Sequence, residues 1–176
     1  KELPLTTVID ADGLNALAGH TDALKNAAGP RLLTPHPGEM ARLLGCTSKE
    51  IQGNRLEFAR EAAARFGAII VLKGAQTLVA APDGRVSINS TGNPSLASGG
   101  TGDVLTGFIG GFLAQALSPW DAARLGAYLH GLAADYLMGE AGRGLIAGDL
   151  IDLFPEVLTE FLSGGIPATE EEICLQ

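Results

Sequence analysis

The chain has 176 residues, which fits about one domain, and 46% of them are hydrophobic, which excludes a largely disordered protein. Its net charge is -8, and no cluster of Lys or Arg provides the basic face that a nucleic-acid partner needs. No apolar run reaches ~18 residues, so the sequence predicts no membrane span. Cys46 and Cys174 lie far apart and lack zinc-ligand spacing, which favours a reduced, cytoplasmic setting.

The first half of the chain alternates predicted strands with predicted helices. In order, these are a strand at residues 6–9, a loop with Asp10 and Asp12, a strand at 31–34, a helix from near Pro37, a helix at 48–66 and a strand at 68–72. The helix at 48–66 follows a capping box of Thr47 and Glu50. The uninterrupted apolar run at 68–72 is typical of a strand that is buried on both faces. Residues 77–81 and 86–89 flank a turn and predict a hairpin.

The second half is predicted to be mostly helical. Residues 90–102 form a loop rich in Gly, Ser, Thr and Asn, and helices are predicted at 104–116, 119–138 and 148–162. Strands that alternate with helices, followed by helices alone, predict a layered α/β domain over residues 1–165. Residues 166–176 are predicted to be a loose acidic tail.

Glycine is the compositional outlier, because 24 of the 176 residues are glycine, about twice the usual share of ~7%. Many lie close together, at Gly92, Gly99, Gly100, Gly102, Gly107, Gly110 and Gly111. In the loop, glycines allow backbone N–H groups to converge on an anion, and the positive end of the following helix dipole adds to this effect. The loop therefore predicts a phosphate-binding hollow. The last three glycines lie within the helix, where each costs roughly 1 kcal/mol, and we expect another backbone to approach closely there.

Asp103 stands where the loop meets the helix. A carboxylate beside a phosphate site repels the ligand unless it takes part in the chemistry. The chemistry that suits Asp103 is general-base catalysis, in which it takes a proton from a hydroxyl that attacks phosphorus. The alternative is that Asp103 only caps the helix.

Five motifs occur in one order along the chain. They are DADGLN at residues 10–15, TPHPGE at 34–39, KGAQT at 73–77, the loop at 93–103 that ends in GTGD, and YLHGLAAD at 128–135. Together they resemble the ADP/ATP-dependent NAD(P)H-hydrate dehydratase family of the ribokinase-like superfamily. The resemblance implies a ribokinase-like layered α/β fold, with a mainly parallel sheet and helices on both faces. It also implies an incomplete domain that lacks its N-terminal part.

The resemblance implies a lyase that repairs hydrated nicotinamide cofactors. Members of the bacterial type use ADP to dehydrate (6S)-NADHX or NADPHX, and they release NAD(P)H, AMP and phosphate. The implied cofactor is Mg²⁺, the co-substrate is ADP, and the expected assembly is a homo-oligomer, commonly a tetramer.

Site residues carry over from the matching motifs. Asp103 would be the catalytic base and, with His36, would bind the substrate, and Glu39 would be associated with Mg²⁺. The nucleotide would bind to Lys73, Gly74, Ala75, Gln76, Thr77, Gly100, Thr101 and Gly102.

Structural alternatives remain open for several of these residues. His36 could be a rigid turn residue, Lys73 an ordinary lysine at a strand end, and Glu39 a solvated residue at a helix N-terminus. Asp12 and Asn15 could approach the substrate or serve in turns and caps. His130 is expected to be a buried, hydrogen-bonded histidine.

Two other functions also stay open. One is a small-molecule kinase of the same superfamily, because the GTGD motif by itself does not exclude it. The other is a nucleotide-binding module without catalysis.

Overall fold

The computed structural model describes residues 4–25, 27–141 and 144–164. Five strands and eight α-helices are found in these ranges. In chain order they are β1 (Thr7–Ile9), α1 (Ala11–Leu17), α2 (Asp22–Lys25), β2 (Arg31–Leu33), α3 (Pro37–Leu44), α4 (Ser48–Gly53), α5 (Arg55–Phe66), β3 (Ile69–Leu72), β4 (Leu78–Ala80), β5 (Val86–Ile88), α6 (Thr101–Ala114), α7 (Pro119–Ala141) and α8 (Ala147–Leu162). A short 3-10 helix at Pro94–Ala97 precedes α6.

The five strands form one sheet in the order β1-β2-β3-β4-β5. Strands β1, β2 and β3 are parallel, with Val8 opposite Leu32. The predicted hairpin is confirmed, because β4 runs antiparallel to both β3 and β5. Four strands therefore point in one direction and β4 in the other, so the sheet is mainly parallel in strand direction, as the sequence predicts.

Helices cover both faces of the sheet, as predicted. The apolar run of β3 explains this, since successive side chains of a strand point to opposite faces and all four residues of β3 are buried. Ile70 and Leu72 pack with the helices of the first half of the chain. Val71 packs on the opposite face with α6, α7 and α8. The site lies at the carboxyl end of β1, β2 and β3, between these two layers.

The prediction of one helix over residues 48–66 is wrong. The chain breaks at Asn54, whose φ of -152° and ψ of 58° are not helical, and this residue separates α4 from α5. Gly53 and Asn54 are both weak helix formers, which explains the position of the break. The predicted capping box is confirmed, since the Thr47 N–H donates to the Glu50 carboxylate at 2.7 Å and the Glu50 N–H donates to the Thr47 hydroxyl at 3.3 Å.

The region predicted to be a loop after β1 is also different. Helix α1 begins directly at Ala11, so Asp10 is the N-cap residue and Asp12 lies in the first helical turn. Helix α6 begins at Thr101, three residues before the predicted start at 104. The predicted tail at 166–176 lies outside the described residues.

The explanation predicted for three helical glycines is wrong within the described part of the chain. A Cβ atom built on Gly107, Gly110 or Gly111 would meet no described atom within 4 Å. The close approaches occur in α7 instead. A Cβ atom on Gly131 would lie 2.7 Å from the backbone carbon of Thr91, and one on Gly126 would lie 2.6 Å from the Ile109 side chain.

Candidate nucleotide and substrate site

A cavity of about 750 Å³ opens at the carboxyl end of the sheet. Its wall includes most of the residues that the sequence assigns to binding, namely His36, Lys73, Gly74, Ala75, Gln76, Thr77, Thr101 and Gly102. These residues come from three separate motifs, which the fold brings together. Gly100, Asp103 and Glu39 do not line the cavity, although each adjoins a residue of its wall or is bonded to one.

Lys73 directly follows β3 and its ammonium group lies at the centre of the polar contacts. Its Nζ atom donates a hydrogen bond to Asp10 Oδ1 at 2.8 Å and lies 3.7 Å from Glu39 Oε2. A Cβ atom on Gly102 would lie 3.4 Å from Nζ, so the first turn of α6 passes close to this ammonium group. The structure therefore joins the ends of β1 and β3 to the start of α6, and two carboxylates neutralise the charge of Lys73.

Asp10 is not among the site residues that the sequence predicts. Its side chain is 9% exposed, and its second oxygen accepts a hydrogen bond from Thr106 Oγ1 at 3.1 Å. Burial raises the pKa of Asp10, but the hydrogen bond and charge of Lys73 outweigh it, and the pKa lies below its usual value. The next residue, Ala11, has a φ of 48°, a conformation that is costly for a residue other than glycine. A carboxylate directly after a parallel strand was the sequence signal for this residue, because ligands bind at that end of an α/β sheet.

His36 and Glu39 form the N-terminal cap of α3. The His36 Nδ1 atom accepts from the Gly38 N–H at 2.9 Å, and Glu39 Oε2 accepts from the His36 N–H at 2.8 Å. Glu39 is buried, so the alternative of a solvated glutamate is wrong, although its position near a helix N-terminus is correct. The described residues contain no group of three or more His, Cys, Asp or Glu side chains that could hold a metal ion. Glu39, the residue predicted to be associated with Mg²⁺, is bonded to the His36 backbone and lies 3.7 Å from the Lys73 ammonium group.

The loop at residues 90–102 is held in place by α7. The Gly92 N–H donates to Asp135 Oδ2 at 2.7 Å, and the Asn93 amide donates to Asp135 Oδ1 at 2.9 Å. The Thr101 hydroxyl donates to the carbonyls of Leu96 and Ser98 at 2.7 and 2.9 Å. The sequence predicts no role for Asn93 and Asp135, because the two residues lie 42 positions apart in different motifs and only the fold brings them into contact.

His130 is buried and hydrogen-bonded, as the sequence predicts. Its Nε2 atom lies 2.9 Å from the carbonyl oxygen of Thr101, and the residue is 7% exposed. Burial lowers its pKa to about 4. His130 is therefore neutral at pH 7, and because a carbonyl oxygen only accepts, Nε2 carries the proton. The ring lines the cavity and holds the first residue of α6 through this hydrogen bond.

Asp103 is the third residue of α6 and is exposed. It makes no hydrogen bond or ion pair with any residue that the structure describes. The N-cap residue is Gly100, and no side chain caps this helix end. The capping alternative for Asp103 therefore has no support among the described residues, and its carboxylate lies beside the N–H groups of the first turn, which have no partner within the helix.

The sequence profile of the NAD(P)H-hydrate dehydratase family matches residues 1–156. The chain belongs to this family. It is 56% identical over 152 residues to the bifunctional NAD(P)H-hydrate repair enzyme Nnr of Moorella thermoacetica, covering 86% of this chain and 29% of that protein. It is 48% identical over 147 residues to the ADP-dependent (S)-NAD(P)H-hydrate dehydratase of Neisseria meningitidis, covering 81% of this chain and 50% of that enzyme.

A crystal structure supports the same relationship. The fold matches the ADP/ATP-dependent NAD(P)H-hydrate dehydratase of Bacillus subtilis, crystallised with ATP and Mg²⁺, with a TM-score of 0.82 and 43% identity. The match covers 90% of this chain and 56% of that one. The predicted ribokinase-like fold is thereby confirmed, and the chain spans about half the length or less of these relatives. No helix among the described residues is long and apolar enough to cross a membrane.

Proposed function

We propose that the protein containing this chain is an ADP-dependent dehydratase of hydrated NADH and NADPH. One observation carries the proposal: the KGAQT turn and the N-terminus of α6 line one cavity, and Asp103, a carboxylate without a partner among the described residues, lies in the first turn of that helix. The relatives named above act on NAD(P)H hydrates, and this supports the choice of substrate.

In the proposed reaction, Asp103 takes the proton from the hydroxyl at C6 of the hydrated nicotinamide ring. The resulting oxygen attacks the terminal phosphorus of ADP, and the bond from that phosphorus to the bridging oxygen of AMP breaks. The ring nitrogen then expels the phosphate from C6, and loss of a proton from the neighbouring ring carbon gives NAD(P)H. One of the two protons removed is returned to the departing phosphate and the other passes to solvent, so hydrated NAD(P)H and ADP give NAD(P)H, AMP, phosphate and one proton, and atoms and charge balance.

The other residues bind and orient the reactants. The N–H groups at the start of α6 are aimed where negative charge develops on the phosphoryl oxygens. We assign the adenylate part of ADP to Lys73, Gly74, Ala75, Gln76 and Thr77, and the phosphates to Gly100, Thr101 and Gly102. His36, on the same cavity wall, is assigned to the hydrated ring.

Three finer assignments complete the proposal. An Mg²⁺ ion would bind the phosphates of ADP, neutralise their charge and approach Glu39 through water. A cytoplasmic location fits a substrate derived from NADH. A homo-oligomer, in the form of a tetramer, is proposed on the family resemblance.

The test is an assay of the full-length gene product that contains this chain, with hydrated NADH and ADP. NADH absorbance should reappear in proportion to the AMP formed, and should not do so without nucleotide. If ADP binds but no NADH forms, the chain belongs to a binding module. If ADP or ATP is instead consumed with a phosphorylated product that accumulates, the protein is a kinase.

A further inference from the structure

Arg55, the first residue of α5, lies behind the turn that joins β3 to β4. Its guanidinium group donates hydrogen bonds to the carbonyl oxygens of Leu72, at 3.1 Å, and Ala75. Leu72 ends β3, and Ala75 is at the middle of the turn. Arg55 does not line the cavity, whereas every residue from 73 to 77 does. The guanidinium group therefore holds the turn from the side opposite the cavity.

The turn adopts backbone conformations that need such support. Gly74 has a φ of 147° and Gln76 a φ of 54°. The left-handed conformation is unfavourable for Gln76, since only glycine adopts it without a steric cost. The two ends of the turn are anchored by the sheet, through the Lys73 N–H to Pro35 at 2.9 Å and the Asn89 N–H to Thr77 at 2.9 Å. At the middle of the turn, the Thr77 hydroxyl donates to the Gly74 carbonyl at 3.1 Å within the turn itself, and the bond from Arg55 to Ala75 supplies the anchor to another element.

The position of Arg55 is unfavourable in other respects. A cation in the first turn of a helix faces the positive end of the helix dipole. No carboxylate among the described residues lies within ion-pair distance of Arg55, and its buried Nε atom has no hydrogen-bond partner. Burial also lowers its pKa. The guanidinium group packs directly on Gly74, where a Cβ atom would lie 3.0 Å from Nη2. The contacts that offset these costs are those with the turn.

We propose that Arg55 is a positioning residue for nucleotide binding. By holding the carbonyls of Leu72 and Ala75, it fixes the turn at residues 73–77 in the shape that faces the cavity, without touching the nucleotide itself. This inference rests on the proposed function, in which that turn binds the adenylate part of ADP.

The principal variant is Arg55→Met, which keeps an apolar stem but loses both hydrogen bonds. Hydrogen bonds from charged donors are strong enough that we expect KM for ADP to rise about tenfold or more when both are lost. The value of kcat at saturating ADP and the KM for hydrated NADH should not change. The KM for ADP of Arg55→Lys should lie between that of the original protein and that of Arg55→Met, because an ammonium group lacks the planar fork that reaches two carbonyls. It also serves as the test if Arg55→Met fails to fold.

Arg65→Met is the matched control, since Arg65 is an exposed arginine of the same helix, and it should leave KM for ADP unchanged. Melting temperatures are measured in parallel. A purely structural role for Arg55 would lower the melting temperature and leave the KM for ADP of the folded enzyme as it was. That result would overturn the inference.

A second variant separates this inference from the proposed function. Ala75→Phe places a large side chain at an exposed position of the cavity wall and leaves the backbone carbonyl for Arg55. It should weaken ADP binding, measured by calorimetry. If Ala75→Phe weakens binding and Arg55→Met does not, the inference about Arg55 alone is wrong. If Ala75→Phe has no effect on binding, the assignment of the nucleotide to this turn fails, and the inference fails with it.

Discussion

The start of α6 has a held side, formed by Thr101 and Gly102, and an open side, formed by Asp103 and Gly107. On the cavity side, Gly102 lies close to the Lys73 ammonium group, and the Thr101 carbonyl accepts a hydrogen bond from buried His130. Asp103, in contrast, does not line the cavity and is exposed without a partner among the described residues, and a Cβ atom on Gly107, four residues later, would meet no described atom within 4 Å. The binding groups are therefore fixed before a ligand arrives, which lowers the cost of organising the site. The proposed base is left unpaired, as proton transfer requires.

Asp10, whose carboxylate binds the Lys73 ammonium group beside the held side, should matter most for stability. Asp10→Asn removes the nearer of the two carboxylates beside Lys73, and we expect a loss of about 3 kcal/mol in the free energy of unfolding, since a buried ion pair at 2.8 Å is broken and Glu39, at 3.7 Å, compensates the charge only in part. Urea denaturation measures the loss. Asp12→Asn is the control, because Asp12 is an exposed residue in the first turn of α1. The substitution should change the free energy of unfolding by about 0.5 kcal/mol or less. Equal losses of stability in the two variants would show that the contact between Asp10 and Lys73 does not stabilise the held side.

His130, which binds the held side, makes the stability of the protein depend on pH. Its pKa is about 4 in the folded protein against 6.5 without the fold, so the unfolded chain binds a proton more readily. The contribution to stability is complete above pH 6.5 and declines as the pH falls toward 4, by up to about 3 kcal/mol.

Unfolding by urea at pH 7 and at pH 4.5 measures this decline. His130→Gln should flatten it, whereas His20→Gln, at an exposed position, should not. Asp10 contributes to pH dependence only below this window, because its pKa is lowered in the folded state. A decline of the same size in His130→Gln would show that other groups cause it.

Gly131 tests the close contact between α7 and the loop before α6. In Gly131→Ala the new Cβ atom would lie 2.3 Å from the Thr91 hydroxyl oxygen and 2.7 Å from the Thr91 backbone carbon. Because backbone must shift to accept it, we expect a loss of roughly 1–3 kcal/mol. A fall in melting temperature of the variant measures this, and an unchanged melting temperature would mean that the loop moves freely away from α7.

The open side should show the opposite sign. Gly107 lies within α6, and a Cβ atom on it would meet no described atom within 4 Å, so Gly107→Ala should raise the free energy of unfolding by roughly 1 kcal/mol through helix propensity alone. The same denaturation experiment checks it. A destabilised Gly107→Ala would indicate that part of the protein packs on this face.

Motifs at the ends of elements allow most of the residues assigned to binding to be predicted on one cavity wall. The sequence predicts Lys73 after a buried strand and Gly102 in the loop just before a helix, and general rules for α/β sheets bring such positions together. The helix break at Asn54 was missed because the apolar periodicity of residues 48–66 hides a local loss of helix propensity. The roles of Asp10, Arg55 and Asp135 depend on contacts between residues distant in sequence, which periodicity does not reveal.

The catalytic role of Asp103 is the central claim, and the Asp103→Asn variant tests it most directly. In the full-length gene product, turnover of hydrated NADH and binding of ADP are measured on the same preparation. We predict that kcat falls by about 10²–10⁴-fold, as expected for loss of a general base, while ADP binds as tightly as before or more tightly. Turnover within about tenfold of the original, or loss of ADP binding, would contradict the account.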